Sequence, residues 1–195
     1  KHTIVGKIAN CRSILMRAIR DHEKVIQSEE VLNAISLLTR NLQKIEIVTC
    51  LETLRGIEGD SARIYFGVFD HLILTDKSNF FFYDRNKRPP LDNMNALLSF
   101  LYTLLAHDIE SALEGVGLDP AVGFLHTDRP GRPSLALELM EESRPYIADR
   151  LVLSLVNRAQ VTKDGFKVTE TGGVLMSEET RKTVITSWQK RKQEE

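Results

Sequence analysis

The run from Asp92 to Gly115 constrains the fold most. Met94, Leu97, Leu98, Leu101, Leu104, Leu105, Ile109, Ala112 and Leu113 recur at three-to-four spacing along it. That period belongs to a helix and not to a strand, and an apolar face this broad must be buried against several neighbours. Asp92 stands at the N-cap position, and Gly115 and Gly117 mark the end. The neighbours are predicted to be helices as well. Ile4, Ile8, Cys11, Ile14, Leu15 and Ile19 form an amphipathic helix with Lys7, Arg12, Arg17 and Arg20 on a basic face. Ser28 caps a second helix with Glu29 and Glu30 in its first turn and a stripe of Val31, Leu32, Ile35, Leu38, Leu42 and Ile45. Ile47 to Leu54 continues helically, and beyond Gly56 and Gly59 the period resumes at Ala62, Tyr65, Phe66 and Phe69, with the two glycines read as a junction where backbones approach closely.

Thr75 to Pro90, rich in Asp, Asn, Lys and Arg around Phe80 to Tyr83, is the main loop. Pro133 suits a first helical position, Ser143 and Pro145 open another helix, Asp164-Gly165 signals a short hairpin between Val161 and Val168, and Ser177 caps a last helix. The expected fold is all-α, a multi-helix domain over residues 1–195 with one small β-hairpin late in the chain. Acidic and basic residues nearly cancel, at 27 and 26, so any nucleic-acid surface must be local. Cys11 and Cys50 read as buried thiols of a reducing cytoplasm, and neither a secretory leader nor an apolar run of about 18 residues is evident, which points to a cytoplasmic protein with no membrane partner.

Chemistry concentrates between Gly123 and Glu142. An apolar lead delivers His126 to a Pro/Gly turn, and the following helix carries Glu138 and Glu141, three apart and so on one face. Each residue also has a plainer reading. The histidine can be a packed side chain, the glutamates a solvated face, and Glu58, set among Gly56, Ile57 and Gly59, a helix cap.

Three blocks decide between these readings. Leu54 to Gly59, Asn95 to Tyr102 and Gly117 to His126 resemble, in sequence, order and spacing, the CRISPR-associated integrase, protein one of the spacer-acquisition machinery. Arg129 to Leu135 and the tail around Trp188-Gln189 are most similar to its subtype I-C branch. The resemblance implies a metal-dependent DNA endonuclease/integrase that inserts foreign DNA at the repeat by phosphoryl transfer. It implies Mn²⁺ or Mg²⁺ on Glu58, His126 and Glu141, a set of oxygens and one imidazole that suits either ion.

Where the family has aspartate one turn before the last ligand, this chain has Glu138. The extra methylene moves the carboxylate by about 1.5 Å while metal distances tolerate about 0.2 Å, so Glu138 must turn aside or leave the ion. Arg55, Arg63, Arg129, Arg132 and Tyr83 are the expected DNA contacts, with Arg85, Lys87 and Arg88 lining the Tyr83 loop; pairing with nearby carboxylates is the alternative for each arginine. Tyr102 matches a family position near the DNA end and, as a bare feature, a packing position on an apolar helix.

Family members begin with a β-rich dimerising domain, so the resemblance implies a catalytic-domain fragment lacking it. The expected partners are double-stranded and branched DNA, a small companion, CRISPR-associated protein two, and a second copy in the full-length homodimer. The competing expectation is a non-catalytic helical DNA- or partner-binding module whose metal site is degenerate.

Overall fold

The computed structural model describes residues 1–26, 28–125 and 131–194. Seven α-helices and one hairpin make up the described chain: α1 His2–Asp21, α2 Glu29–Ile47, α3 Leu51–Gly67, α4 Asn93–Gly115, α5 Ser134–Arg144, α6 Arg150–Asn157, β1 Phe166–Val168, β2 Val174–Met176 and α7 Glu178–Glu194. The all-α expectation holds.

The caps are those foreseen. Ser28 Oγ accepts from Val31 N at 3.1 Å, and Asp92 Oδ1 from Asn95 N at 2.7 Å. Ser177 Oγ accepts from Thr180 N at 3.2 Å. Each satisfies an N-terminal amide that has no partner within its own helix.

α1 is the centre of the bundle, packed against α2, α3 and α5, and α4 closes the far side of α5. Ile8, Leu15, Leu38, Leu97, Leu98 and Leu101 are fully buried where these helices meet. α4 is long and apolar enough to cross a membrane, but its apolar side chains Met94, Leu97, Leu98, Leu101 and Leu105 form this core. The last helix docks through Trp188, which is buried and donates its indole N–H to Asp108 on α4 at 2.9 Å.

Several local expectations are corrected. The chain does not run helically from Ile47 to Leu54: α2 stops at Ile47, Val48 is extended, and α3 begins at Leu51. Gly56 and Gly59 are not a junction. They lie inside α3, and a Cβ at either would meet nothing within 4 Å. Leu32, placed on the apolar stripe by spacing, is exposed, because α2 buries only a narrower face.

The hairpin forms, but Asp164-Gly165 sits in a short 3-10 turn before it; the strands close through Thr169 to Gly173, where Gly172 takes φ +79°. Pro133 is the N-cap of α5 rather than its first helical residue. From Arg144 to Arg150 the backbone stays helical through a wider π-turn, Pro145–Asp149, so α5 and α6 form one winding path and no helix starts at Ser143. Cys11 is buried as expected, whereas Cys50 is exposed at the N-cap of α3, where amides of the first turn hold its thiol below the usual pKa.

Candidate functional site

Three helices bring charged side chains together at the centre of the bundle. Lys7 on α1 is 3% exposed, and its ammonium touches both Glu58 on α3 and Glu141 on α5. One buried cation therefore separates two carboxylates whose positions are 83 residues apart in sequence. Arg144, one turn beyond Glu141, donates to Glu141 Oε1 at 2.9 Å. Burial pushes the Glu141 carboxyl up, but Arg144 and Lys7 outweigh it and hold the group below its ordinary pKa. Arg144 lies over the Tyr102 ring at 4.9 Å, and Arg85 from the Tyr83 loop lies over the same ring at 5.1 Å. Lys87 completes a cationic rim; desolvation, with Arg144 and Arg85 nearby, lowers its pKa.

Beneath this rim Asp149 is fully buried and accepts from Tyr65 at 3.1 Å and Tyr102 at 2.5 Å. Burial raises its carboxyl to about 6 from 3.8, outweighing Arg144 and both phenols. The folded protein thus holds that proton more tightly than the unfolded chain. The associated stability is present in full below about 3.8 and lost as pH climbs through about 6. Asp149→Asn removes the titration and leaves Glu141, which has the opposite dependence, in both proteins. The unfolding free energy of the variant relative to the parent should rise by about 2–3 kcal/mol across this window. Urea melts at a series of pH values measure it, and parallel curves for the two proteins would refute the assignment.

Glu138 has a different neighbourhood from Glu141. It is 1% exposed, and its oxygens accept from Phe124 N at 2.8 Å and Leu125 N at 2.9 Å. Gly123 makes this possible, because a Cβ there would lie 2.8 Å from Ser134 Cβ and 2.9 Å from Glu138 Oε1. Arg55, one turn before Glu58 on α3, grips the Leu125 carbonyl through Nε at 2.7 Å and through Nη2, while Nη1 pairs with Glu52 at 2.7 Å. Leu125 is therefore clamped at both its amide and its carbonyl. His126, which follows it in the chain, lies outside the described residues, as does Arg129.

The remaining expected positions divide. Tyr83 is 84% exposed beside Phe81. Arg63 is exposed and paired with Asp60 at 2.7 Å, and Arg132 is half-buried before α5. Tyr102 is not presented to the surface: it is buried, and its hydroxyl is committed to Asp149. Arg55 is committed to Leu125 and Glu52 rather than to solvent.

Among the described residues no group of three His, Cys, Asp or Glu converges on one point. The pair Glu58 and Glu141 nonetheless suits a divalent ion. A cation already lies between the two carboxylates, and Glu141 Oε2 is buried with no aligned donor although Lys7 touches it. Hard oxygens in that state fit Mn²⁺ or Mg²⁺.

Sequence reasoning placed Lys7 on the basic outer face and passed over Arg144 and Asp149. Lys7 lies three residues from Ile4 and four from Cys11, both buried, so the apolar stripe itself pointed it inward. Arg144 stands three residues after Glu141, the spacing that puts both on one helix face.

The architecture is that of a helical domain with one hairpin, built around a half-buried carboxylate pair bridged by a buried cation. The family described as CRISPR associated protein Cas1 matches residues 1–190, and the chain belongs to it. CRISPR-associated endonuclease Cas1 1 of Chlorobaculum tepidum is 54% identical over 192 residues, which cover 98% of this chain and 56% of that protein. The chain thus spans little more than half the length of the curated relatives it matches. Among solved structures, a partial Cas6-RT-Cas1–Cas2 complex superimposes with a TM-score of 0.83 at 27% identity, over 97% of this chain and 55% of that one. A casposase bound to integration product superimposes with a TM-score of 0.73 at 25% identity, over 96% and 52%.

Proposed function

We propose that residues 1–195 form the C-terminal catalytic domain of a metal-dependent DNA endonuclease/integrase of CRISPR spacer acquisition, of a subtype I-C-like branch. The observation that carries the proposal is the pair Glu58 and Glu141 with one ammonium between them beneath a cationic rim. Glu58, Glu141 and, from the sequence resemblance, His126 would hold Mn²⁺ or Mg²⁺. Bound there, the ion supplies charge neutralisation at a phosphoryl group and a lowered pKa for the attacking hydroxyl.

The chain's own residues do the positioning. Arg144 keeps Glu141 ionised, and Glu138 and Arg55 fix Leu125, from which the chain continues to His126. Lys87, exposed and electrostatically coupled to Glu141, is proposed to meet a phosphate approaching the pair, while Arg85 is held by Asn95 and Ser99. Tyr83, Arg63, Arg132 and Arg129 are proposed to contact the DNA backbone further out. Water as the attacking group gives cleavage; a DNA 3′-hydroxyl gives integration. The names of the solved neighbours, one with Cas2 and one bound to integration product, support DNA and a small companion protein as partners. A cytoplasmic, homodimeric full-length protein completes the reading.

Cleavage of branched DNA with Mn²⁺ tests it. Glu58→Gln and Glu141→Gln should each slow cleavage on the order of 100-fold. Cleavage unchanged in His126→Ala would remove the histidine from the site. If calorimetry finds no Mn²⁺ binding to the parent chain, the non-catalytic module is the correct reading.

A further inference from the structure

A second cleft opens at the other end of α1, between α1, α6 and α7. Its volume is about 550 Å³, and Arg17, Arg150, Arg158, Lys190 and Arg191 line it against the single carboxylate of Asp21. Ile14, Leu72, Leu74 and Leu151 also line it. Arg17 pairs with Asp21 at 3.1 Å, and Arg191 has a partner of its own, so in a chain of formal net charge −1 the local bias rests on Arg150, Arg158 and Lys190.

The plainest explanation is that basic side chains complement the C-terminal ends of the three helices. Magnitude decides against it as the whole account. Each helix end contributes about half a negative charge, so with Asp21 included and the partnered Arg191 left out the cleft retains a surplus of about one to two positive charges. Crowding is evident at Arg150, where burial first and then Arg191 and Arg17 depress the guanidinium pKa. The arginines are also pre-positioned. Arg150 and Arg191 lie 5.0 and 5.5 Å from the Tyr146 ring, and Arg191 donates to the Tyr146 carbonyl at 3.4 Å. Fixed forks of this kind suit phosphate oxygens.

The geometry points to a phosphate-binding site in this cleft, with the arginines on the phosphate of a nucleotide. Arg17 lies about 15 Å along α1 from Lys7, so the site is separate from the carboxylate pair. It needs no divalent ion, and its existence does not depend on the activity proposed above.

Calorimetric titration of the 195-residue chain with inorganic pyrophosphate in EDTA tests the inference. Saturable binding that weakens with added salt is expected. The double substitution Arg17→Gln with Arg150→Gln should weaken it by about tenfold or more. Lys163→Gln with Lys167→Gln, an equal loss of charge beside the hairpin, should leave it unchanged. Should the first pair unfold the protein by circular dichroism, Arg158→Gln with Lys190→Gln replaces it. No saturable binding, or equal weakening by the hairpin pair, overturns the proposal.

Deoxythymidine triphosphate and a short oligothymidine then separate the two sources of the phosphate. A tighter, arginine-dependent response to the oligonucleotide assigns the cleft to a strand, and the reverse assigns it to a free nucleotide.

Discussion

Lys7→Met is expected to destabilise the metal-free chain by about 3–5 kcal/mol, the usual cost of removing one partner from a buried ion pair. The side chain of Lys7 is 4% exposed, and those of Glu58 and Glu141 are 14% and 19% exposed. Methionine fills a similar volume, so packing survives while the charge between the carboxylates disappears. Arg144 still neutralises one side of Glu141, but Glu58 has lost its buried partner and now faces a like charge. Mn²⁺ should reverse the effect. A divalent ion filling the vacated position would stabilise the folded state by about 2.7 kcal/mol at one hundred times its dissociation constant. In the parent the ion must first displace the ammonium, so the variant should gain more stability from Mn²⁺ than the parent does. Urea unfolding with Mn²⁺ and with EDTA measures both quantities. An identical loss in the two conditions would mean that Lys7 contributes packing alone.

Glu138→Ala is expected to cost about 3 kcal/mol, from two lost hydrogen bonds and a buried amide left without an acceptor. The bonds run to the backbone amides of Phe124 and Leu125, and the Leu125 amide is left buried with no acceptor. Glu138→Asp should cost nearly as much. Shortening the arm by about 1.5 Å carries the oxygens out of reach of amides that are now 2.8 and 2.9 Å away. Glu138→Gln keeps one accepting oxygen and should recover part of the loss. Amide hydrogen exchange localises the effect: protection at Phe124 and Leu125 should fall in the alanine and aspartate variants. Unchanged protection there, whatever the overall stability, would show that Arg55 alone holds the segment.

Much of this was legible in the chain. The three-to-four periodicity, the caps at Ser28, Asp92 and Ser177 and the main loop are local properties, and local physics set them. The errors arose where local signals compete with packing. Gly56 and Gly59 carry no intrinsic instruction to break a helix that α2 already supports from one side, so α3 runs through them. Asp164-Gly165 is a sound turn signal that formed a turn, one segment too early.

The carboxylates of the site were found because a family pattern marked them. Lys7 and Arg144 were not, although Lys7 stands on an apolar stripe and Arg144 on the face of Glu141, because a basic residue was read by default as facing water. Glu138 was weighed by the length of its side chain against an ion, and the amides of Phe124 and Leu125 that donate to it did not enter that reading.

The π-turn between Arg144 and Arg150 makes α5 and α6 a single rail with one extra residue wound into it. One residue corresponds to about 100° of azimuth, so the turn resets which way everything downstream points. Upstream the rail aims Glu141 at Lys7, and downstream it aims Arg150 at the arginine cleft. With an uninterrupted helical phase the two side chains would be dialled to different bearings, and Asp149 would swing away from the phenols that hold it. The angular offset between an acidic centre and a basic one is thus written into the count of residues along one rail.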